Sequence, residues 1–441
     1  MNSSLFFYYI DLGLRSLRRN IVLTALLIVA IGVGVGTSMT TLTVFRAMSG
    51  DPIPDKSRRL FTPQIDSRGP LVPPAPTEDH LQTSMTYTDA MALMRARSGR
   101  RQTAMYGTVL SVHPADPKQK PFLALAHAVY ADFFAMFDVP FKYGAPWSAA
   151  EDDDRAATVV LTKTMNDQLF GGRNSVGKTV RLGGDTYTVA GVLDEWRFIP
   201  VVYDLDRTSF AGRDEMFLPF THAIDKQMRV VGSVSCEQDL QAGFAPLLRS
   251  ECVWLGFWVE LQGPADARKY RTYLNNYAAD QQRAGRFHWP PHTQLRDVRE
   301  WLDYRHVVPG EIDILMLVSF GFLLVCLLNA MGLMLAKVMG RAGDIGVRRA
   351  LGASRGAIFS QCLVETGVVG LMGGLLGLAL TAIGLFAART LLPKEFAALT
   401  HLDVVDVVIV LLLALASTVL AGLYPTWRAA HVQLTWQLKA Q

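Results

Sequence analysis

Apolar and polar positions divide this chain into two kinds of region. Residues 21–45 run without a charge, long enough to cross a bilayer core of about 30 Å at 1.5 Å per residue. Three further apolar runs, at 312–336, 362–388 and 407–427, have the same reach. Between the first and second runs, residues 46–311 mix helical and strand periodicities with many charges. The pattern predicts an α-helical membrane protein of four transmembrane helices. A large extracytoplasmic α+β domain is expected between the first and second spans, in one lobe or two. Within it, Thr88–Ser98, Ala131–Phe137, Lys163–Phe170, Leu240–Leu248 and Asp266–Gln282 read as helices. Ala104–His113, Phe122–Val129 and Thr158–Leu161 read as strands. Asp51–Pro76, rich in proline and charge, reads as an extended linker, and a last helix is expected to start near Leu295, with a break around Pro309.

Charge fixes the expected topology. Residues 1–20 read as a partly amphipathic helix carrying Phe6, Phe7, Ile10 and Leu14 on one side, followed by Arg15, Arg18 and Arg19. A cleaved signal peptide would have an apolar core of only about 7–15 residues, so the first run reads as a retained anchor. The loop 337–361 holds Lys337, Arg341, Arg348, Arg349 and Arg355 against Asp344, and the tail 428–441 adds Arg428, His431 and Lys439. Basic residues gather on the cytoplasmic side, which places both termini and the 337–361 loop inside and the short 389–406 loop outside. The net charge of +4 is small, and no nucleic-acid partner is expected.

The basic loop also has internal structure. Asp344–Ala353 reads as a short helix with Ile345, Val347, Ala350 and Leu351 on an apolar side and Arg348 and Arg349 projecting away. Gly352 suits a helix stop, and Ser354 suits the cap of a helix running into the next span. Such a helix is a docking surface for a soluble partner, or an interfacial helix held on anionic lipid headgroups. Periodicity and charge support both equally.

The stretch D-I-G-V-R-R-A-L-G-A-S-R, Asp344–Arg355, resembles the signature loop of FtsX-like permease domains, which belong to the MacB-like class of ABC transporter membrane subunits. Asp344 stands where that family usually has Glu. Y-P-T-W-R-A-A, Tyr424–Ala430, is similar to the close of such permeases, although Leu434 and Trp436 depart from the residues that usually follow. The segment F-G-G-x-N-x-V-G-K-x-V-x-L from Phe170, with V-A-G-V after it, resembles the MacB-like periplasmic core. MacB carries an ATPase domain on the same chain, and this sequence shows none. The resemblance implies an inner-membrane permease whose loop is a coupling helix seated on a separate ATPase. Asp344, Arg348 and Arg349 would make polar contacts, and Ile345, Ala350, Leu351 and Gly352 would fit its cleft. ATP and Mg would sit on that ATPase, with no cofactor, metal or catalytic group on this chain. It further implies a second permease subunit, with a periplasmic adaptor and outer-membrane channel left open. Efflux, lipoprotein extraction and FtsX-type control of a cell-wall hydrolase are the functions it leaves in play.

Other features weigh less. Gly32 and Gly36 on the first span, and Gly370, Gly373, Gly374 and Gly377 on the third, form small-x-x-x-small faces that permit close helix packing. G-R-N-S-V-G-K-T, Gly172–Thr179, matches a phosphate loop letter for letter. Here a helix precedes it and a hairpin at Gly183–Gly184–Asp185 follows, the reverse of the strand-then-helix order that cradles phosphate. It reads as a turn, and the rival of an ATPase on this chain fails on that context. Cys236 and Cys252 can close a disulfide in an oxidising compartment or remain buried thiols. Cys326 and Cys362 read as small apolar residues in or beside spans. Glu151–Asp154 reads as a solvated acidic loop, and prolines between His288 and His292 keep those rings from sharing a helix face.

Overall fold

The computed structural model describes residues 21–77, 80–115, 119–196, 198–205, 207, 214–239, 241–308, 310–391 and 404–430. The N-terminal helix expected over 1–20, most of the 389–406 loop and the end of the tail lie outside the described residues. The chain divides into two units, residues 50–307 and the remainder.

The first helix is α1, Ile21–Met48. The soluble unit then opens with β1, Leu60–Ile65, inside the stretch expected to be linker. Prolines and charges flank this strand, but Leu-Phe-Thr-Pro-Gln-Ile is buried at every position, so no alternation betrays it. Pro63 is tolerated because β1 pairs with its second neighbour only at Leu60 and Phe61, leaving no ladder bond for the missing N–H to break. Next come α2, Tyr87–Ala96, β2, Arg101–His113, β3, Phe122–Val129, and β4, Phe141–Gly144. The expected acidic loop is a helix instead, α3, Ala149–Asp153. Ser148 and Glu151 close a reciprocal cap on its first turn. Asp152 is buried beneath it, accepting from the Ala131 N–H and Trp147 Nε1–H, each at 2.8 Å.

Further along lie β5, Thr158–Leu161, α4, Lys163–Phe170, β6, Thr179–Leu182, β7, Asp185–Leu193, β8, Met216–Pro219, and β9, Gly256–Glu260. The unit ends with α5, Pro264–Arg283, β10, Thr293–Asp297, and α6, Val298–Tyr304. The helix expected near Leu295 therefore starts at Val298, because Leu295 pairs with Pro63 and Asp297 caps the helix from outside. Between Cys236 and Cys252, which are joined as a disulfide, the helix is Phe244–Arg249, later than expected. A loop of that length is worth ~3 kcal/mol.

One mixed sheet of ten strands runs β10-β1-β9-β2-β3-β8-β5-β7-β4, with β6 bridging β2 and β7. It is continuous, so the soluble unit is one lobe. β3–β8 and β5–β7 are parallel and the rest antiparallel. Neighbouring strand residues serve opposite faces: Ala104 and Tyr106 join one core, and Met105 joins another rich in Phe133, Phe137, Phe217 and Trp258.

The second unit holds α1 together with α7, Gly310–Met339, α8, Ala342–Ala350, α9, Arg355–Leu391, and α10, Val404–Ala430. Four of these are long and apolar enough to cross a membrane, and α8 is the short one between the second and third.

Burial pushes the Asp152 carboxyl up to about 7, against the pull of the Ala131 and Trp147 donors. The folded protein then binds this proton more tightly than the unfolded chain. Stability is therefore full below the ordinary Asp value and falls as pH rises toward 7, by up to about 4 kcal/mol. Asp152→Asn is expected to flatten the pH dependence of thermal unfolding between about pH 4 and 7, measured by tryptophan fluorescence; an unchanged slope contradicts this.

Candidate functional site

The stretch 337–361 folds as a hinge between two spans. α7 ends at Met339, α8 follows, and Gly352 stops it with a φ of +100°, a conformation that favours glycine. The Ala353 N–H reaches back to the Arg348 carbonyl at 3.0 Å, satisfying one of the last carbonyls of the helix. Ser354 Oγ then accepts from the Ala357 N–H at 3.1 Å and caps α9, which runs without a break into the third span.

The apolar residues of α8 divide between two sides. Ile345 is half-buried and lines a small cavity with Leu27, Met334, Lys337, Cys362 and Glu365. Val347 is 61% exposed and Leu351 is 83% exposed. Ala350 and Gly352 are exposed with them. Ile345 thus faces the bundle, not the outer side where the sequence reading grouped it with Leu351. Arg348 donates to Gln361 Oε1 at 3.0 Å, so it is engaged within the chain. The side chains of Asp344 and Arg349 lie outside the described residues.

Glu365 was not singled out from the sequence. Its carboxylate receives Lys337 Nζ at 2.7 Å and Arg341 NH1 at 3.1 and 3.2 Å. Lys337 also lies 3.5 Å from Thr24 Oγ1 on α1. All three ionic groups are largely shielded, with side-chain exposures of 7% for Lys337, 15% for Glu365 and 19% for Arg341. The available signal was an acid placed inside an otherwise uncharged run, which in a membrane segment calls for a partner.

The glycine faces meet as close contacts. A Cβ at Gly36 would lie 2.9 Å from Leu380 and 3.2 Å from the Gly377 carbonyl, and one at Gly32 would lie 2.8 Å from Leu376. Gly377 approaches Val35 and the Gly32 carbonyl in return, at 3.2 and 3.3 Å from its own would-be Cβ. Gly370 and Gly374 face Thr418 and Ala414 on α10. Ser38 adds a hydrogen bond to the Ser319 carbonyl at 2.9 Å, tying α1 to α7. Arg46 and Asp406 pair at 2.6 Å between α1 and α10.

Two features of the soluble unit bear on chemistry. In the Gly172–Thr179 loop, three successive amides are already spent: Gly177 N–H on the Val189 carbonyl at 2.8 Å, Lys178 N–H on the Ser175 carbonyl at 2.9 Å, Val176 N–H on Asn174 Oδ1 at 3.0 Å. They form a turn into β6 and offer no cradle for phosphate. Separately, His127, Asp204 and Asp214 bring ligand-type atoms within 4.8 Å of one another. Arg207 pairs with both acids and approaches His127 Nδ1 at 3.1 Å, so a guanidinium supplies the positive charge there. Burial alone would raise the Asp214 carboxyl; His127 and Arg207 overcome it and hold it at about 2.

Comparison with known proteins places this architecture. Residues 23–276 match the family model of the MacB-like periplasmic core domain, and residues 316–434 match that of the FtsX-like permease C-terminal region. The macrolide export ATP-binding/permease protein MacB of Azoarcus sp. is 26% identical over 428 residues, covering 95% of this chain and 57% of that protein. The protein of the same name from Salmonella typhi is 26% identical over 276 residues, covering 61% of this chain and 36% of its own. The chain therefore spans between about a third and just over half of such relatives' length. The periplasmic region of MacB from Actinobacillus actinomycetemcomitans aligns with 13% identity and a TM-score of 0.36, covering 57% of this chain and 94% of that one. The extracellular domain of the transporter YknZ from Gram-positive bacteria aligns with 13% identity and a TM-score of 0.34, covering 53% and 99%.

The glycine contacts make a direct expectation. Gly377→Leu should overpack the α1–α9 seam and cost about 1–3 kcal/mol, lowering the thermal midpoint of the detergent-purified chain. Gly321→Leu, where a Cβ meets nothing within 4 Å, should leave that midpoint unchanged. Equal effects at both sites contradict the packing account.

Proposed function

The chain belongs to the MacB-like family of ABC transporter permeases, with a MacB-like periplasmic core domain and an FtsX-like permease domain. On that footing we propose that it couples ATP hydrolysis on a separate cytoplasmic ATPase to movement of its periplasmic domain. The observation that carries this reading is α8: a short helix between two spans, stopped by Gly352, with Val347 and Leu351 left exposed beside basic side chains. Exposed apolar side chains on a short, fixed helix are the features of a docking ridge. Leu351, with Val347, Ala350 and Gly352, enters the ATPase cleft, while Asp344, Arg348 and Arg349 make polar contacts at its rim. Ile345 anchors the ridge from behind.

ATP and Mg belong to the ATPase, and this chain contributes no catalytic group. A second permease subunit packs beside it in the inner membrane, both termini on the cytoplasmic side. The long apolar surface of α7, with Leu317 75% and Leu324 58% exposed, supports a partner helix or lipid there. Closure of the ATPases then moves the helices as rigid bodies between two arrangements of the dimer. The work done is efflux of a periplasmic or membrane-associated substrate, such as an antibiotic, a peptide or another toxic small molecule, with an adaptor and outer-membrane channel completing the path. Relatives named for macrolide export support that direction. The FtsX-like match also suits transmembrane signalling to a cell-wall hydrolase, and a lipoprotein-extracting permease is the third variant.

Leu351→Asp tests the docking ridge. It should cost about 2 kcal/mol or more of ATPase binding, roughly thirtyfold, and abolish ATP-driven export while the periplasmic domain unfolds at its usual temperature. Export at the wild-type level in that variant contradicts the assignment.

A further inference from the structure

We propose that Glu365 is a positioning residue, the joint that makes α8 and the third span move together. The proposal rests on the coupling reading above and adds the residue through which the movement passes.

The geometry is a clamp on one face of α9. Gln361 and Glu365 are one helical turn apart, so their side chains share that face. Arg348, near the C-terminal end of α8, is held by Gln361 at 3.0 Å. Arg341, immediately before its N-terminal end, is held by both carboxylate oxygens of Glu365 at 3.1 and 3.2 Å. The short helix is thus fastened to the third span at both ends, with Ile345 packed between the fastenings. Both bonds come from the one nitrogen NH1, shared between the two carboxylate oxygens, and they hold Arg341 against α9 at hydrogen-bond distance.

Glu365 reaches further than α8. Through Lys337 at 2.7 Å it also holds the last turn of α7, and Lys337 extends to Thr24 on α1. One carboxylate therefore joins the second and third spans and the hinge between them. Above it, α9 packs closely on α1, where a Cβ at Gly36 would lie 3.2 Å from the Gly377 carbonyl. A push on α8 is then delivered to the α1–α9 pair as a displacement, because the ion cluster is shielded and weakly screened by salt. Without Glu365, Lys337 and Arg341 lose their shared carboxylate and α8 is tethered at one end only.

The test uses the full chain in lipid nanodiscs, wild type against Glu365→Gln, which keeps the size and removes the charge. Hydrogen exchange over residues 342–350 reads the joint itself. At least tenfold faster exchange is expected in the variant; a change under twofold overturns the joint even if coupling is intact. The same samples with the ATPase bound report the ATP-driven distance change across the periplasmic domain. The expected result is ATPase binding and turnover within twofold of wild type with that distance change lost. Binding and turnover that fall in proportion to the lost movement mark Glu365 as merely structural and overturn the proposal. Arg341→Gln, which leaves Lys337 paired with Glu365, is expected to give the same fast exchange over residues 342–350 and the same loss of movement. This variant also decides the matter should Glu365→Gln alone fail to fold, and wild-type exchange in it overturns the joint. A wild type that binds no ATPase overturns the coupling reading and the transmission role with it, a failure distinct from a flat exchange result.

Discussion

The close approach of the first and third spans is the contact on which the membrane half of this protein depends. In lipid there is no hydrophobic effect to press helices together, so surface detail must do it. Gly32, Gly36, Gly373 and Gly377 remove the side chains that would hold α1 and α9 apart, and Leu376, Leu380, Ile31 and Val35 fill the space. The seam packs the two helices closely along their length. Everything at the end of the bundle bearing α8 is then referred to that pair: the Glu365 cluster, the Ile345 anchor and the exposed Leu351 ridge. A ridge on a loose bundle could bind an ATPase, but it would dissipate the push.

The soluble unit solves a different problem. Its ten-stranded sheet is covered on both faces, one by a broad aliphatic and aromatic core and the other by clustered rings. A sheet buried on both sides needs its internal charges matched. Arg207 does this for Asp204 and Asp214, and Arg59 and Arg101 do it for the wholly buried Glu260, at 2.9 and 2.8 Å. The Arg101–Glu260 pair also ties β2 to its neighbour β9.

The membrane architecture was legible because long apolar runs and flanking arginines are strong, local signals. The hinge was legible too, since Gly352 and Ser354 are stop and start residues in the right order. What the sequence hid was governed by tertiary burial. β1 lacks alternation because both its faces are covered, and the acidic run 151–154 reads as solvated until Trp147 and Ala131 are seen to hold Asp152. On a helical wheel Ile345 stands about 120° from Leu351 and about 160° from Val347, so the spacing already separated it from the exposed pair, and the neighbouring spans show that it is the one that points inward. The phosphate-loop letters at Gly172–Thr179 mislead for the converse reason: a motif acts through the elements around it, and here they are a helix before and a hairpin after. Glu365 needed contact information, because its partners Lys337 and Arg341 lie across the hinge.

The central claim is that α8 seats on a separate ATPase, and the most direct measurement is co-purification of the tagged chain from detergent with mass spectrometry of what is retained. The account predicts an ABC ATPase in amounts comparable to the permease. Its absence, with the membrane and periplasmic units intact, would contradict the reading of α8 as a coupling helix.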